Sequence, residues 1–110
     1  MLLATDLWVA ALIRRAELGG AFAMVLAKGD ARAGTVLVKA LNRAAGTCRI
    51  YTEAFGAEGD RLWMRPVRSE DEAEIEAWIA RQRSRDPDLW VVEIDDRAGR
   101  HFLTEKVDEV

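Results

Sequence analysis

The sequence predicts a small α+β domain, an antiparallel sheet of about five strands with two helices packed on one face. Three observations carry this. Between residues 21 and 65, short runs with alternating or β-branched character follow one another, separated by turns rich in Gly, Asn and Asp. Ser69–Arg85 is a capped segment with helical spacing. Beyond the helix-stopping Asp86-Pro87, the run Leu89–Ile94 is nearly all apolar. The element order is therefore α-β-β-β-β-α-β, within one domain over residues 1–110.

Thr5 or Asp6 caps the first helix, which runs to about Leu18 and stops at Gly19-Gly20. Leu7 to Ile13 is unbroken apolar, wider than the stripe of a surface helix. This helix is therefore covered on more than one side, by its own chain or by a second subunit. A strand at Leu7-Trp8-Val9 is the alternative reading. Ala21–Ala27 reads as a strand with Phe22, Met24 and Leu26 on one face. After a loop at Lys28–Gly34, the second strand, Thr35–Leu41, sets Val36 and Val38 against Leu37 and Lys39. Asn42–Gly46 closes a hairpin to Thr47–Glu53, rich in β-branched and aromatic residues. A loop at Phe55–Asp60 leads to the short strand Arg61–Arg65, which Pro66 ends. Connections this short favour an antiparallel meander.

Ser69 and Glu72 have capping-box spacing. Acids at 70, 71, 72, 74 and 76 lie at the positive end of the helix dipole, and Arg81, Arg83 and Arg85 at the negative end. Ile75, Trp78, Ile79 and Gln82 share a face, so this helix packs on the sheet through Trp78. The following strand alternates Trp90, Val92 and Ile94 against Leu89, Val91 and Glu93. With both faces mostly apolar, it takes a central position. A turn at Asp96–Gly99 leads to a short last strand at His101–Leu103, and the tail frays from about 104.

The net charge of −3 is unevenly spread: residues 1–68 sum to +4 and residues 69–110 to −7. The two halves are suited to face each other, within one chain or across a dimer. Thirteen of the sixteen basic residues are Arg, which favours planar, bidentate contacts. A lone cysteine, Cys48, excludes an intrachain disulfide and is compatible with a reducing cytosol. Its alternation with Ile50 points it into the core, where the four Trp residues also belong. The N-terminus lacks the basic region of a signal peptide, and no stretch reaches the roughly 18 apolar residues of a membrane span. The chain reads as a cytoplasmic protein without membrane association.

The string Asp86-Pro87-Asp88-Leu89-Trp90-Val91-Val92-Glu93-Ile94, with Asp96-Arg97 and Gly99-Arg100-His101-Phe102 after it, is long and specific. Together with Asp6-Leu7-Trp8-Val9, Ala11-Leu12-Ile13-Arg14-Arg15, Gly20-Ala21-Phe22-Ala23 and Ala33-Gly34, it resembles a family of small bacterial proteins catalogued as a domain of unknown function. The resemblance spans about residues 4 to 103. It implies a single α+β domain and a cytoplasmic bacterial protein, and it brings no activity, cofactor or catalytic residue.

The densest polar cluster comprises Glu93, Asp95, Asp96, Arg97, Arg100 and His101. A histidine beside carboxylates is the material of general-base catalysis or substrate orientation. A hairpin also gathers such residues without purpose, and no Ser or Cys nucleophile is tied to this one by spacing. A basic face formed by Arg14, Arg15, Arg49 and Arg65, with Tyr51 and Trp63 interleaved, has the make-up of a single-strand contact. The pI of about 5.2 and the acidic C-terminal half weigh against nucleic acid. One His and one Cys, far apart, make no transition-metal set, and neither a phosphate loop nor a dinucleotide fingerprint is present. These features predict a protein-interaction or regulatory module without catalysis or cofactor, working as a homodimer or with another protein. A ligand-binding protein or enzyme using the C-terminal cluster is the first alternative, and a nucleic-acid accessory factor using the basic half is the second.

Overall fold

The computed structural model describes residues 3–109. Its elements are α1 (Thr5–Leu18), β1 (Phe22–Ala27), β2 (Val36–Asn42), β3 (Thr47–Phe55), β4 (Arg61–Met64), α2 (Glu72–Arg85), β5 (Trp90–Asp96) and β6 (Lys106–Asp108). All six strands join one sheet in the order β1-β5-β2-β3-β4-β6. The expected meander is present at β2-β3-β4, antiparallel throughout. β5, however, enters between β1 and β2, antiparallel to the first and parallel to the second. β6 lies parallel to β4. The sheet is thus mixed and six-stranded, not antiparallel and five-stranded.

The reason lies in β5 itself. Trp90, Val91, Val92 and Ile94 are all buried, so the strand needs cover on both faces and a neighbour on each side. The chain reaches this interior position through α2, which carries it from β4 back past β3 and β2 to a place between β2 and β1.

The helices lie on opposite faces, not on one as expected. Trp8, Val9 and Leu12 of α1 share a core with Val38, Tyr51, Trp63 and Val92. Ile75 and Ile79 of α2 share the other with Leu37, Cys48, Ile50 and Val91. Alternate strand residues serve opposite cores, as the period of two requires. Val36 to Ala40 are accordingly buried at every position. Trp78 is half-buried at the flank of α2, and the helix seats through its two isoleucines.

Both helix starts differ from the expected caps. Ala4 occupies the α1 cap position without a side-chain bond. Thr5 turns inward, its hydroxyl donating to the Gly34 carbonyl at 3.1 Å. At α2 the cap is Asp71, which accepts from the Glu74 N–H at 3.1 Å, while Ser69 accepts from the Asp71 N–H one step earlier.

The Asp88–Trp90 string anchors the loop before β2. The Asp30 N–H donates to the Asp88 carbonyl at 3.0 Å, and the Trp90 indole donates to the Asp30 carbonyl at 2.7 Å. A Cβ at Gly29 would lie 2.0 Å from the Asp88 carbonyl oxygen, so the approach demands glycine. Beyond β5, residues 101–103 are not a strand. They cross the α1 side of the sheet, where Leu103 enters the core. The tail expected to fray instead supplies β6.

Candidate functional site

The C-terminal polar residues do not converge. Alternation along β5 sends Glu93 and Asp95 to the α2 side and Asp96 to the α1 side. Glu93 meets Lys39 at 3.2 Å and Asp95 meets Arg43 at 2.9 Å. Asp96 is fully buried and accepts from the backbone N–H groups of Ala98 and Arg100 and from the Arg100 guanidinium at 2.9 Å. The Arg100 guanidinium holds the Asp96 pKa at about 2, overcoming the burial that opposes ionisation. Arg100 also donates to the Gly19 carbonyl and lies over the Phe102 ring at 4.8 Å. These bonds close the turn and tie it to the end of α1. Arg97 is exposed.

His101 packs edge-on against Tyr51, ring centroids 5.1 Å apart, and its Nδ1 accepts from the Leu103 N–H at 2.9 Å. Burial lowers its pKa below the ordinary histidine value, which keeps the ring neutral in that role. The only histidine thus pins the crossover.

The most elaborate ionic group lies elsewhere. Lys39, fully buried in the centre of β2, reaches Glu72 and Glu76 of α2 and Glu93 of β5. Burial alone pulls the ammonium pKa down. Hydrogen bonds to the three carboxylates outweigh it and hold the pKa above the usual lysine value. Sequence reasoning placed Lys39 beside Leu37 but assigned it no such role. The available signals were a lysine inside an apolar strand and a Glu pair spaced i, i+4 on the helix. Cys48 lies buried in the same layer, its thiol pushed up to about 12 by burial, and is inert as a nucleophile.

Three of the four arginines of the expected basic face, Arg15, Arg49 and Arg65, are tied internally. Arg49 and Arg65 come together on Glu70, at 2.6 and 3.8 Å. Arg49 also meets Glu109, which accepts from the Tyr51 hydroxyl at 3.2 Å. Arg15 donates to the Phe102 carbonyl, and Arg14 is exposed on α1. Trp63 is fully buried against Trp8, so the aromatic partners of this face do not offer open rings. A groove of about 290 Å³ borders Arg49 and Glu70 at the ends of β2 and β3, with Asn42 and Thr47 on its walls. Among the described residues, no group of three or more His, Cys, Asp or Glu side chains is placed to hold a metal ion. No described helix is long and apolar enough to cross a membrane.

Among the described residues, the densest run of exposed apolar side chains lies at one edge of the sheet. β1 forms an edge of the sheet, and Phe22, Met24, Val25 and Leu26 are exposed along it, Phe22 at 69 % and Met24 at 55 %. Leu18, at the turn into β1, is 75 % exposed. Phe22 and Met24 stand opposite Asp95 and Glu93, on the α2 side, and together with Glu17 these residues border a depression of about 170 Å³.

These features define a small layered α+β protein with a mixed six-stranded sheet, polar residues largely paired within the fold, and an open apolar edge at β1. Over residues 3–104 the chain matches the family described as "Protein of unknown function (DUF1491)", and it belongs to that family. It is similar to the crystal structure of a DUF1491 family protein from Caulobacter crescentus CB15, with 64 % identity and a TM-score of 0.96 over 97 % of this chain and 100 % of that one. An NMR structure of a DUF1491 family protein from the same organism has 64 % identity and a TM-score of 0.92, covering 98 % of each chain. The solution structure of protein Atu0922 from A. tumefaciens matches at 32 % identity and a TM-score of 0.82, again over 98 % of each chain. No curated protein matches the chain.

Proposed function

We propose that this protein is a cytoplasmic interaction module that works as a homodimer, through protein contact and not through catalysis. One observation carries the reading: among the described residues, five of the nine large apolar side chains that are exposed, Leu18, Phe22, Met24, Val25 and Leu26, lie at the β1 edge and the turn before it, while Leu3, Leu7, Phe55 and Met64 lie elsewhere. Exposed apolar side chains gathered along an unpaired sheet edge are the mark of a contact site. The polar residues that suggested chemistry support the same view, because their partners lie within the fold. Glu93 and Asp95 serve Lys39 and Arg43, Asp96 serves Arg100, and His101 serves the Leu103 backbone. Cys48, buried and free, accords with a reducing compartment.

Sedimentation equilibrium or light scattering of the full chain at micromolar concentration tests this reading. The expected mass is twice the 12.3 kDa of one chain. A monomer over the whole concentration range rejects the homodimer.

A further inference from the structure

We infer that two copies of this chain join through β1, antiparallel, into one continuous sheet, with Lys28 of each copy set against Glu17 of the other. The inference rests on the homodimer reading and specifies its interface.

The two edges of the sheet are built differently. At the far edge β6 is three residues long, Lys106-Val107-Asp108, short and charged. Natural sheets protect their edges by such means. At the near edge β1 presents Phe22-Ala23-Met24-Val25-Leu26-Ala27, with neither charge nor proline. The only protective irregularity is the register shift between Val25 and Ala27, which leaves Phe22–Val25 regular and open to a partner strand.

Symmetry then selects the occupant. A two-fold axis perpendicular to the sheet sets β1 against its own copy antiparallel and keeps each face of the sheet continuous. With the axis at Ala23, Phe22 of each copy stands opposite Met24 of the other, and all four side chains gather on the α2 side. On the α1 side the small Ala23 lies at the centre. The same operation carries the end of β1 to the partner's turn after α1, so Leu26 approaches the other copy's exposed Leu18. Lys28, exposed at that end, arrives where Glu17 borders the depression beside Phe22 and Met24. Among the described residues, neither Lys28 nor Glu17 has an ion pair within its own chain. The β1 edge therefore has an apolar centre, with Lys28 just past one end and Glu17 of α1 beside the other, an arrangement complementary to itself. A foreign strand has no reason to present a lysine at that point.

The test compares the dimer dissociation constant of the full chain with those of four variants, with urea unfolding checking that each still folds. Met24→Glu, at an exposed position, is expected to leave a folded monomer. Lys28→Glu and Glu17→Lys each break two symmetry-related pairs and should weaken the dimer about five- to tenfold, the scale of two exposed ion pairs. The double variant restores the original affinity to within about threefold. A dimer indifferent to Met24→Glu, or single reversals that the double variant does not rescue, overturns this interface while the homodimer stands. A monomeric parent chain overturns both.

Discussion

The indoles of Trp8 and Trp63 stack with centroids 5.3 Å apart and planes 24° from parallel, and both N–H groups donate to the carboxylate of Glu105. The distances are 3.2 Å from Trp8 and 3.1 Å from Trp63. One residue of the C-terminal segment thus satisfies two indoles, from α1 and β4, just before the chain enters β6. Removing the carboxylate leaves two donors without partners, each costing about 1–3 kcal/mol when buried. Glu105→Ala is expected to lower unfolding stability by about 2–4 kcal/mol, and Glu105→Gln by less, since one acceptor oxygen remains. Urea denaturation followed by tryptophan fluorescence reads both. An unchanged midpoint in Glu105→Ala means that the segment does not hold the stack.

Lys39 fastens α2 to the sheet through three carboxylates. Lys39→Met keeps much of the volume but strands the acids, Glu93 above all, whose side chain is only 19 % exposed. Breaking a buried charge group by removing one partner costs about 3–5 kcal/mol. A loss near 3 kcal/mol is expected here, because Glu72 and Glu76 can turn to water. Adding Glu93→Gln should recover part of it. The folded pKa of Lys39 lies above the ordinary 10.5, so its contribution is complete below that pH and fades as pH rises through the folded value. The parent chain should therefore lose stability above about pH 10.5 more steeply than Lys39→Met. Parallel alkaline limbs in the two proteins contradict the assignment.

Asp96 predicts the behaviour on the acid side. Its folded pKa of about 2 lies below the ordinary 3.8, so its ionic contribution is present above pH 3.8 and lost as pH falls towards 2. The shift corresponds to about 2 kcal/mol for this buried carboxylate. Asp96→Asn should be less stable by about that amount at neutral pH. It should also show a flatter decline between pH 4 and 2 than the parent chain. Thermal unfolding across that interval measures the slope, and equal slopes would place the acid sensitivity elsewhere.

Most elements were legible in the sequence, because period and punctuation are local. The strand alternation of Trp90, Val92 and Ile94 against Leu89 and Val91 is reproduced by the two cores. The central place of β5 followed from its two apolar faces. The pairing partners did not follow, since hydrophobic pattern is silent on whether a strand enters a meander at its edge or between two members. The placement of both helices on one face failed for a related reason: burial of Val36 through Ala40 on both sides was readable only by treating Lys39 as a buried residue. The polar cluster is divided because six residues close in sequence straddle a strand and a turn, and alternation sends them to opposite faces. The tail, expected to fray from about 104, is ordered by partners distant in sequence, which Glu105, Lys106 and Val107 meet.

Gly19 offers the sharpest local test, because its constraint is steric and comes from a single neighbour. Its backbone, φ −83° and ψ 0°, suits any residue, so alanine incurs no conformational penalty. A Cβ there would lie 2.4 Å from Cε1 and 2.9 Å from Cζ of Phe102. Phe102 has little freedom to withdraw. It holds a left-handed backbone, φ +60°, and its ring lies under the Arg100 guanidinium, which itself donates to the Gly19 carbonyl. Gly19→Ala is expected to cost about 1–3 kcal/mol, the range for overpacking. In a Phe102→Ala background the obstacle is gone, and the same substitution should be neutral or stabilising by up to about 1 kcal/mol through the unfolded chain. A double-mutant cycle by urea denaturation gives the coupling directly. Equal costs in the two backgrounds would show that Phe102 is not what requires glycine at this position.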